Sequence, residues 1–259
     1  AKGTDGILHG ADATDPQLCN AVTPQWLNLS GLLSYFRFDG SSYNGNQTYQ
    51  DSLLNNTGTL ITNDLQNKAI TDGTNKAINF DGVDDALSVP YSPKFDAQQI
   101  SLSARLKKTV AKLDIWGSII GRQFGSAYSN TWGLAYTPYN GTIDQFIYEK
   151  AGANGQPGCN LYGPPNNDYL NQWVHIVVTD DASALRMYIN GNLYSSTPCS
   201  VPHTFENKPI CFGAGGNDAT GLCNSEVVGV QMSEVSFWGR VLTATEINNI
   251  YSHKSLLLE

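Results

Sequence analysis

Residues 100–107, ISLSARLK, set Ile100, Leu102, Ala104 and Leu106 against Ser101, Ser103, Arg105 and Lys107 in unbroken alternation. A helix would scatter those apolar groups around its circumference, whereas an extended strand gathers them on one face. The segment therefore predicts a strand with one face in a core and the other toward water. WVHIVVTDD (173–181) and LRMYINGNLYSS (185–196) follow the same logic, and the second contains Asn190-Gly191. Both residues tolerate positive φ, so they predict a two-residue type I′ hairpin, and the two segments are expected to be neighbours. Asn140-Gly141 similarly divides WGLAYTPY from TIDQFIYEK, placing Trp132, Leu134 and Tyr136 on one strand face and an exposed hairpin tip near Tyr139.

From Leu32 onward such segments recur with turn residues between them, the spacing of an antiparallel sandwich rather than of βαβ units. Val228, Val230 and Met232 alternate in one phase while Val235 and Phe237 alternate in the other, which predicts a β-bulge near Ser233-Glu234. Thr243-Ala244-Thr245-Glu246 has the spacing of a capping box and predicts one short helix over 244–252. Residues 1–27 lack periodicity and read as a linker or N-terminal arm. Residues 28–254 read as a single domain, and 255–259 as a C-terminal tail whose Leu258-Glu259 resembles a vector-derived remnant.

Only 15% of residues are charged, and the formal net charge is -8 with the basic residues scattered. Neither a phosphate-tracking stripe nor a polybasic membrane patch can be drawn, so nucleic acid and direct membrane insertion are not expected. The opening AKGTDGILHG lacks the basic and apolar regions of an export signal, and no apolar run is long enough to span a bilayer.

Cys19, Cys159, Cys199, Cys211 and Cys223 show no paired C-x-x-C spacing, which argues against a thiolate zinc site. Beside four N-x-S/T sequons, at Asn28, Asn46, Asn55 and Asn140, they read as disulfide candidates in an extracellular or cell-surface protein. Cys199 with Cys211 is the first expected pair, because the two bracket a short Pro-containing connection. Because the count of five is odd, one cysteine must stay free or pair with another chain.

Read in order, GLLSYFRFDGS, DSLLNNTGTL, KAINFDGVDDALSVP, ISLSARLKK, WGSIIGR, WVHIVVTDDASALRMYINGNLYSS and EVSFWGRVLTATEINNIY resemble successive strands of the bacterial laminin-G-like, concanavalin A-like lectin family. FDGVDDALSVP and the W-x-H-x-x-V-T strand followed by L-x-x-Y-I-N-G are the most specific pieces, and the resemblance covers about residues 30–252. It implies an all-β, two-sheet antiparallel jelly-roll sandwich with one short C-terminal helix and rim loops that differ between members. Such sandwiches serve as glycan binders, adhesion modules, enzyme appendages and enzymes, so function has to be argued from a site.

Glycoside hydrolysis needs two carboxylates facing one cleft. Asp144 and Glu149 fall on opposite faces of a regular strand, and Glu226 and Glu234 stand alone in the sequence. The Gln-x-His and Tyr-x-Lys-x-Gly strands of lyases on related sandwiches are missing. His175 lies in a strand and is expected to pack or hydrogen-bond there. GAGGN at 213–217 is no dinucleotide fingerprint and reads as a turning rim loop. No residue set is assigned to catalysis or to a metal.

Calcium stays an open alternative, because Asp39, Asp51, Asp81, Asp84 and Asp85 fall near strand ends. Family members that hold a rim calcium often read I-D-E-V in the late strand, and here MSEV puts Ser233 at the ligand position.

Sugar recognition needs flat aromatic faces and planar polar groups on loops carried by a rigid scaffold. Tyr128, Trp132, Tyr136, Tyr139 and Tyr162 supply candidate faces, with Asn217 and Asp218 as polar partners. The competing reading packs Trp132 and Tyr136 between the sheets. The sequence thus leads to a non-catalytic module for a surface glycan or glycoprotein, in one version the tip domain of a bacterial surface fibre or adhesin, with a trimer favoured. A polysaccharide hydrolase or lyase with an atypical site, and a structural or protein-binding laminin-G-like domain, are the alternatives.

Overall fold

The computed structural model describes residues 28–39, 47–53, 55–63, 68–72, 75–109, 116–122, 132–139, 143–152, 158–217 and 220–253. The arm 1–27 with Cys19, and the tail 255–259, lie outside the described residues. The chain runs through Leu32–Phe36 (β1), Thr48–Gln50 (β2), Thr57–Ile61 (β3), Ala69–Asp72 (β4), Asn75–Asp81 (β5) and Ala86–Val89 (β6). Next come Ile100–Lys108 (β7), Gly117–Gly121 (β8), Trp132–Tyr139 (β9), Ile143–Lys150 (β10) and Cys159–Pro165 (β11). A 3-10 turn at Asn166–Tyr169 precedes Trp173–Asp180 (β12), Ala184–Ile189 (β13) and Asn192–Pro198 (β14). Ile210–Phe212 (β15), Gly215–Asn217 (β16), Leu222–Ser225 (β17), Gly229–Trp238 (β18) and the helix Ala244–His253 (α1) follow.

Two antiparallel sheets form the sandwich expected. The first is ordered β14-β13-β12-β7-β18-β5-β4 with β1 also on β18, and the second β11-β10-β9-β8-β15-β6-β3-β2. Their facing sides share one apolar core: Leu102, Leu106, Ile176, Val178 and Val230 from the first sheet, Leu87, Ile120, Leu134 and Phe212 from the second. Burial of this kind stabilises by about 25 cal/mol per Å² of apolar surface. Edge-to-face contacts of Phe212 with Phe36 at 5.5 Å and Phe237 at 6.0 Å tie the layers together.

Local chemistry sets the turns. Asn190 (φ 49) and Gly191 (φ 83) both take the left-handed conformation a type I′ hairpin requires, joining β13 to β14. At the bulge, Glu234 has φ 53 and the β18–β7 register shifts between Ser233 and Ser236. On its other side β18 pairs with β5 before the bulge and with β1 after it, so one extra residue lets a single strand serve three neighbours. Thr243 and Glu246 cap α1 reciprocally: the Glu246 N–H donates to Thr243 Oγ1 at 3.2 Å, and the Thr243 N–H to Glu246 Oε2 at 2.8 Å.

One expectation fails on β7. Ser101, Ser103 and Arg105 are buried rather than wet. The segment after β18 and α1 cover them: the Leu242 N–H donates to Ser101 Oγ (2.9 Å), and Arg105 Nη2 donates to the Tyr251 carbonyl (2.6 Å). Ser103 Oγ meets His175 Nε2 at 2.9 Å, the hydrogen-bonded strand role expected of that histidine.

The cysteine pairing also differs. Cys159 bonds Cys199 and Cys211 bonds Cys223, not Cys199 with Cys211. Cys199 directly follows β14, beside the start of β11, while Cys211 lies on β15 under the β16–β17 hairpin, in a small cluster with Ala86 and Ala214.

Candidate functional site

The structure divides the sequence's site residues. Trp132 and Tyr136 are 3% and 0% exposed, so neither offers a face to a ligand. The alternation of β9 turns both into the core, where Trp132 lies 5.9 Å from the Phe237 ring and Tyr136 lies 4.9 Å from Phe146. Burial pushes the Tyr136 phenol far above its ordinary range, and Lys108 Nζ sits 4.8 Å over its ring. Tyr128, Asp218 and the side chain of Tyr139 lie outside what is described. Asn217 Oδ1 accepts the Thr220 N–H at 3.3 Å and shapes the turn between β16 and β17, in a different hairpin from Tyr162.

Tyr162 is 41% exposed on β11, an edge of the second sheet. That edge meets β14, the edge of the first sheet, where Leu193 and Tyr194 are 57% and 50% exposed. Ser195 Oγ donates to the Tyr162 carbonyl at 2.7 Å across the junction, and the Cys159–Cys199 bond, with Cα atoms 6.0 Å apart, locks its end. Tyr169 packs 6.4 Å from Phe146. Its phenol is raised by burial first, then by Asp168 and Tyr194, which brings Tyr194 into the same neighbourhood. Large apolar groups thus stand in water on backbone fixed from both sheets, the arrangement that lets a ring stack on a flat ligand with little entropy loss. The adjacent pair Leu193-Tyr194 breaks the alternation of an otherwise polar strand, and that break was the available signal for them.

The aspartates serve turns and ion pairs. Asp51 Oδ2 accepts the Ser34 hydroxyl at 2.6 Å, and Asp39 pairs with Arg37 at 3.1 Å. Around Gly82 (φ 82), the Val83 N–H donates to Asp81 Oδ1 and the Asp81 N–H to Asp85 Oδ2. Asp81, Asp84 and Asp85 bring ligand oxygens within 4.8 Å of one another, a grouping able to hold a cation. Lys68 Nζ already lies 3.1 Å from Asp85 Oδ2 and supplies positive charge there. At the bulge, Ser233 Oγ donates to the Lys76 carbonyl at 2.8 Å.

Among the carboxylates, Glu234 does not stand alone, since the Tyr35 hydroxyl donates to it. Glu226 is raised by burial first and then by the charge of Glu149 on β10, a proximity that sequence distance concealed.

Among solved structures, the receptor binding domain of botulinum neurotoxin C/D mosaic serotype is similar at 15% identity and a TM-score of 0.65, over 86% of this chain and 51% of that one. The binding domain of Paraclostridial Mosquitocidal Protein 1 is similar at 14% identity and 0.65, over 86% and 52%. The Botulinum Neurotoxin Type G receptor binding domain follows at 17% and 0.61, over 87% and 52%. The chain spans about half the length of these chains, and likeness at such identity speaks to fold. Curated proteins give no match. The laminin-G model described as the concanavalin A-like lectin/glucanases superfamily matches residues 81–248, from the Gly82 turn into α1. This chain belongs to the concanavalin A-like lectin/glucanases superfamily.

Proposed function

We propose that this chain is a non-catalytic, extracellular carbohydrate-binding module that takes a surface glycan or glycoprotein on the ledge formed by Tyr162, Leu193 and Tyr194. The observation that carries the reading is the exposure of these side chains on two sheet edges fastened to each other. Two disulfides support an oxidising compartment, and the similar solved structures are named as receptor-binding or binding domains. No helix among the described residues is long and apolar enough to cross a membrane. In its fuller form the reading makes the module the tip of a bacterial surface fibre or adhesin, with residues 1–27 packing on neighbours in a trimer. Tyr128, Tyr139 and Asp218 would extend the binding rim.

A glycan array with the purified protein, run in calcium and in EDTA after its mass is checked by light scattering, tests this. Tyr194→Ala is expected to weaken a hit by about 1–3 kcal/mol, by analogy with ring–base stacking, while leaving the melting temperature unchanged. An unchanged affinity would move the site away from the ledge. Loss of the hit in EDTA would implicate Asp81, Asp84 and Asp85.

A polysaccharide hydrolase or lyase with an atypical site is the second reading, in which the Glu226 carboxyl, raised by burial first and then by the charge of Glu149, donates a proton. Release of reducing ends that is abolished by Glu226→Gln would select it. Silence on the array with capture of a defined protein ligand would instead select a protein-binding domain.

A further inference from the structure

Lys150 ends β10 in the second sheet and Asp180 ends β12 in the first, yet their side chains meet in the interior. Lys150 Nζ lies 2.6 Å from Asp180 Oδ2, and both side chains are 0% exposed. His203 Nε2 lies 2.9 Å from the same oxygen and is equally buried. The Ala182 N–H donates to Asp180 Oδ1 at 2.8 Å and fixes the carboxylate plane. Both backbones are pinned by ladders, Lys150 between Trp132 and Cys159, Asp180 between Ile100 and Leu185.

As an ion pair this arrangement is poor. An ammonium brings three donors, and the contact with Asp180 lacks the angular alignment of a hydrogen bond. A buried ion pair whose remaining hydrogen-bonding groups are unmet retains much of its desolvation cost. An amide between the same atoms would remove both charges and leave a single N–H, with its oxygen beside His203.

We propose that Lys150 and Asp180 close an intramolecular isopeptide bond that joins the two sheets, with His203 carrying the protons. The reaction starts with transfer of a proton from the ammonium to the carboxylate, which gives the neutral amine and acid that amide formation requires. The Nζ lone pair adds to Cγ of Asp180 and forms the C–N bond. His203 takes a proton from that nitrogen and returns it to the departing hydroxyl, the C–O bond breaks, and water leaves. One ammonium and one carboxylate become one amide and one water, with no oxidant or reductant. Fixed proximity drives the step, since effective molarities for oriented groups reach about 10⁵–10⁸ M. His203 is a catalytic residue in this sense, because it touches a reacting oxygen.

The test is the mass of the folded full chain after reduction of its disulfides. The expected mass is one water below that of the sequence, and a proteolytic map contains a branched peptide joining the segments around Lys150 and Asp180. Lys150→Met is expected to restore the full mass, and His203→Gln, folded by circular dichroism, to leave most chains unlinked. The unmodified chain, folded and carrying its full mass, would overturn the proposal regardless of how the variants fold. A water lost within a single peptide, as in succinimide closure at an aspartate, would overturn it equally.

Discussion

His175 shows how far one side chain can be moved by its surroundings. Burial first and the neighbouring Arg105 guanidinium second hold its pKa down to about 3, against 6.5 in an unfolded chain. The folded state therefore keeps the ring neutral where the unfolded state binds a proton. The contribution to stability is complete above pH 6.5 and is lost progressively as pH falls through that window toward 3. At about 1.4 kcal/mol per pH unit, urea unfolding at pH 5 should give roughly 2 kcal/mol less stability than at pH 7 from this residue, and His175→Gln should remove that part of the slope. Gly163 illustrates a steric counterpart. A Cβ there would lie 2.7 Å from Met187 Sδ and 2.8 Å from Phe146 Cβ. The sulfur could swing away, but Phe146 Cβ is held to the β10 backbone, so Gly163→Ala should cost about 1–3 kcal/mol in a chemical unfolding curve. Neither residue announces this in the sequence, because its environment comes from strands far along the chain.

Elements were readable where their causes are local. The Asn190-Gly191 turn, the Ser233-Glu234 bulge and the Thr243–Glu246 cap each depend on a few consecutive residues, and each stands where spacing placed it. The polar face of β7 was misjudged because its cover arrives from α1, and of the two readings open for Trp132 and Tyr136 the packed one holds, because β9 is sheltered on its inner face by the opposite sheet. Disulfide pairing was unreadable for a related reason: spacing along the chain favoured Cys199 with Cys211, while the sheet edges bring Cys159 to Cys199. Those bonds close segments of 40 and 12 residues, which loop entropy converts to about 4 and about 3 kcal/mol. Replacing Cys159 and Cys199 together by serine should therefore destabilise more than replacing Cys211 and Cys223. It should also weaken ligand binding on the ledge, which the second pair does not anchor. Guanidinium unfolding and a titration against the array hit check both halves.

For the whole molecule, the all-β sandwich was evident because alternation and turn chemistry recur from Leu32 onward, whereas the proposed site, made by two sheet edges, comes together only after folding. Those edges leave a further consequence. A terminal strand usually presents free backbone donors and acceptors that can recruit a strand from another molecule. Here β11 and β14 face each other, bridged by Ser195 and a disulfide, and at the opposite ends of the sheets β2 and β4 are only three and four residues long. Templated growth of one copy onto the next is suppressed along both margins, so copies of this domain can be held close together without fusing into shared sheets.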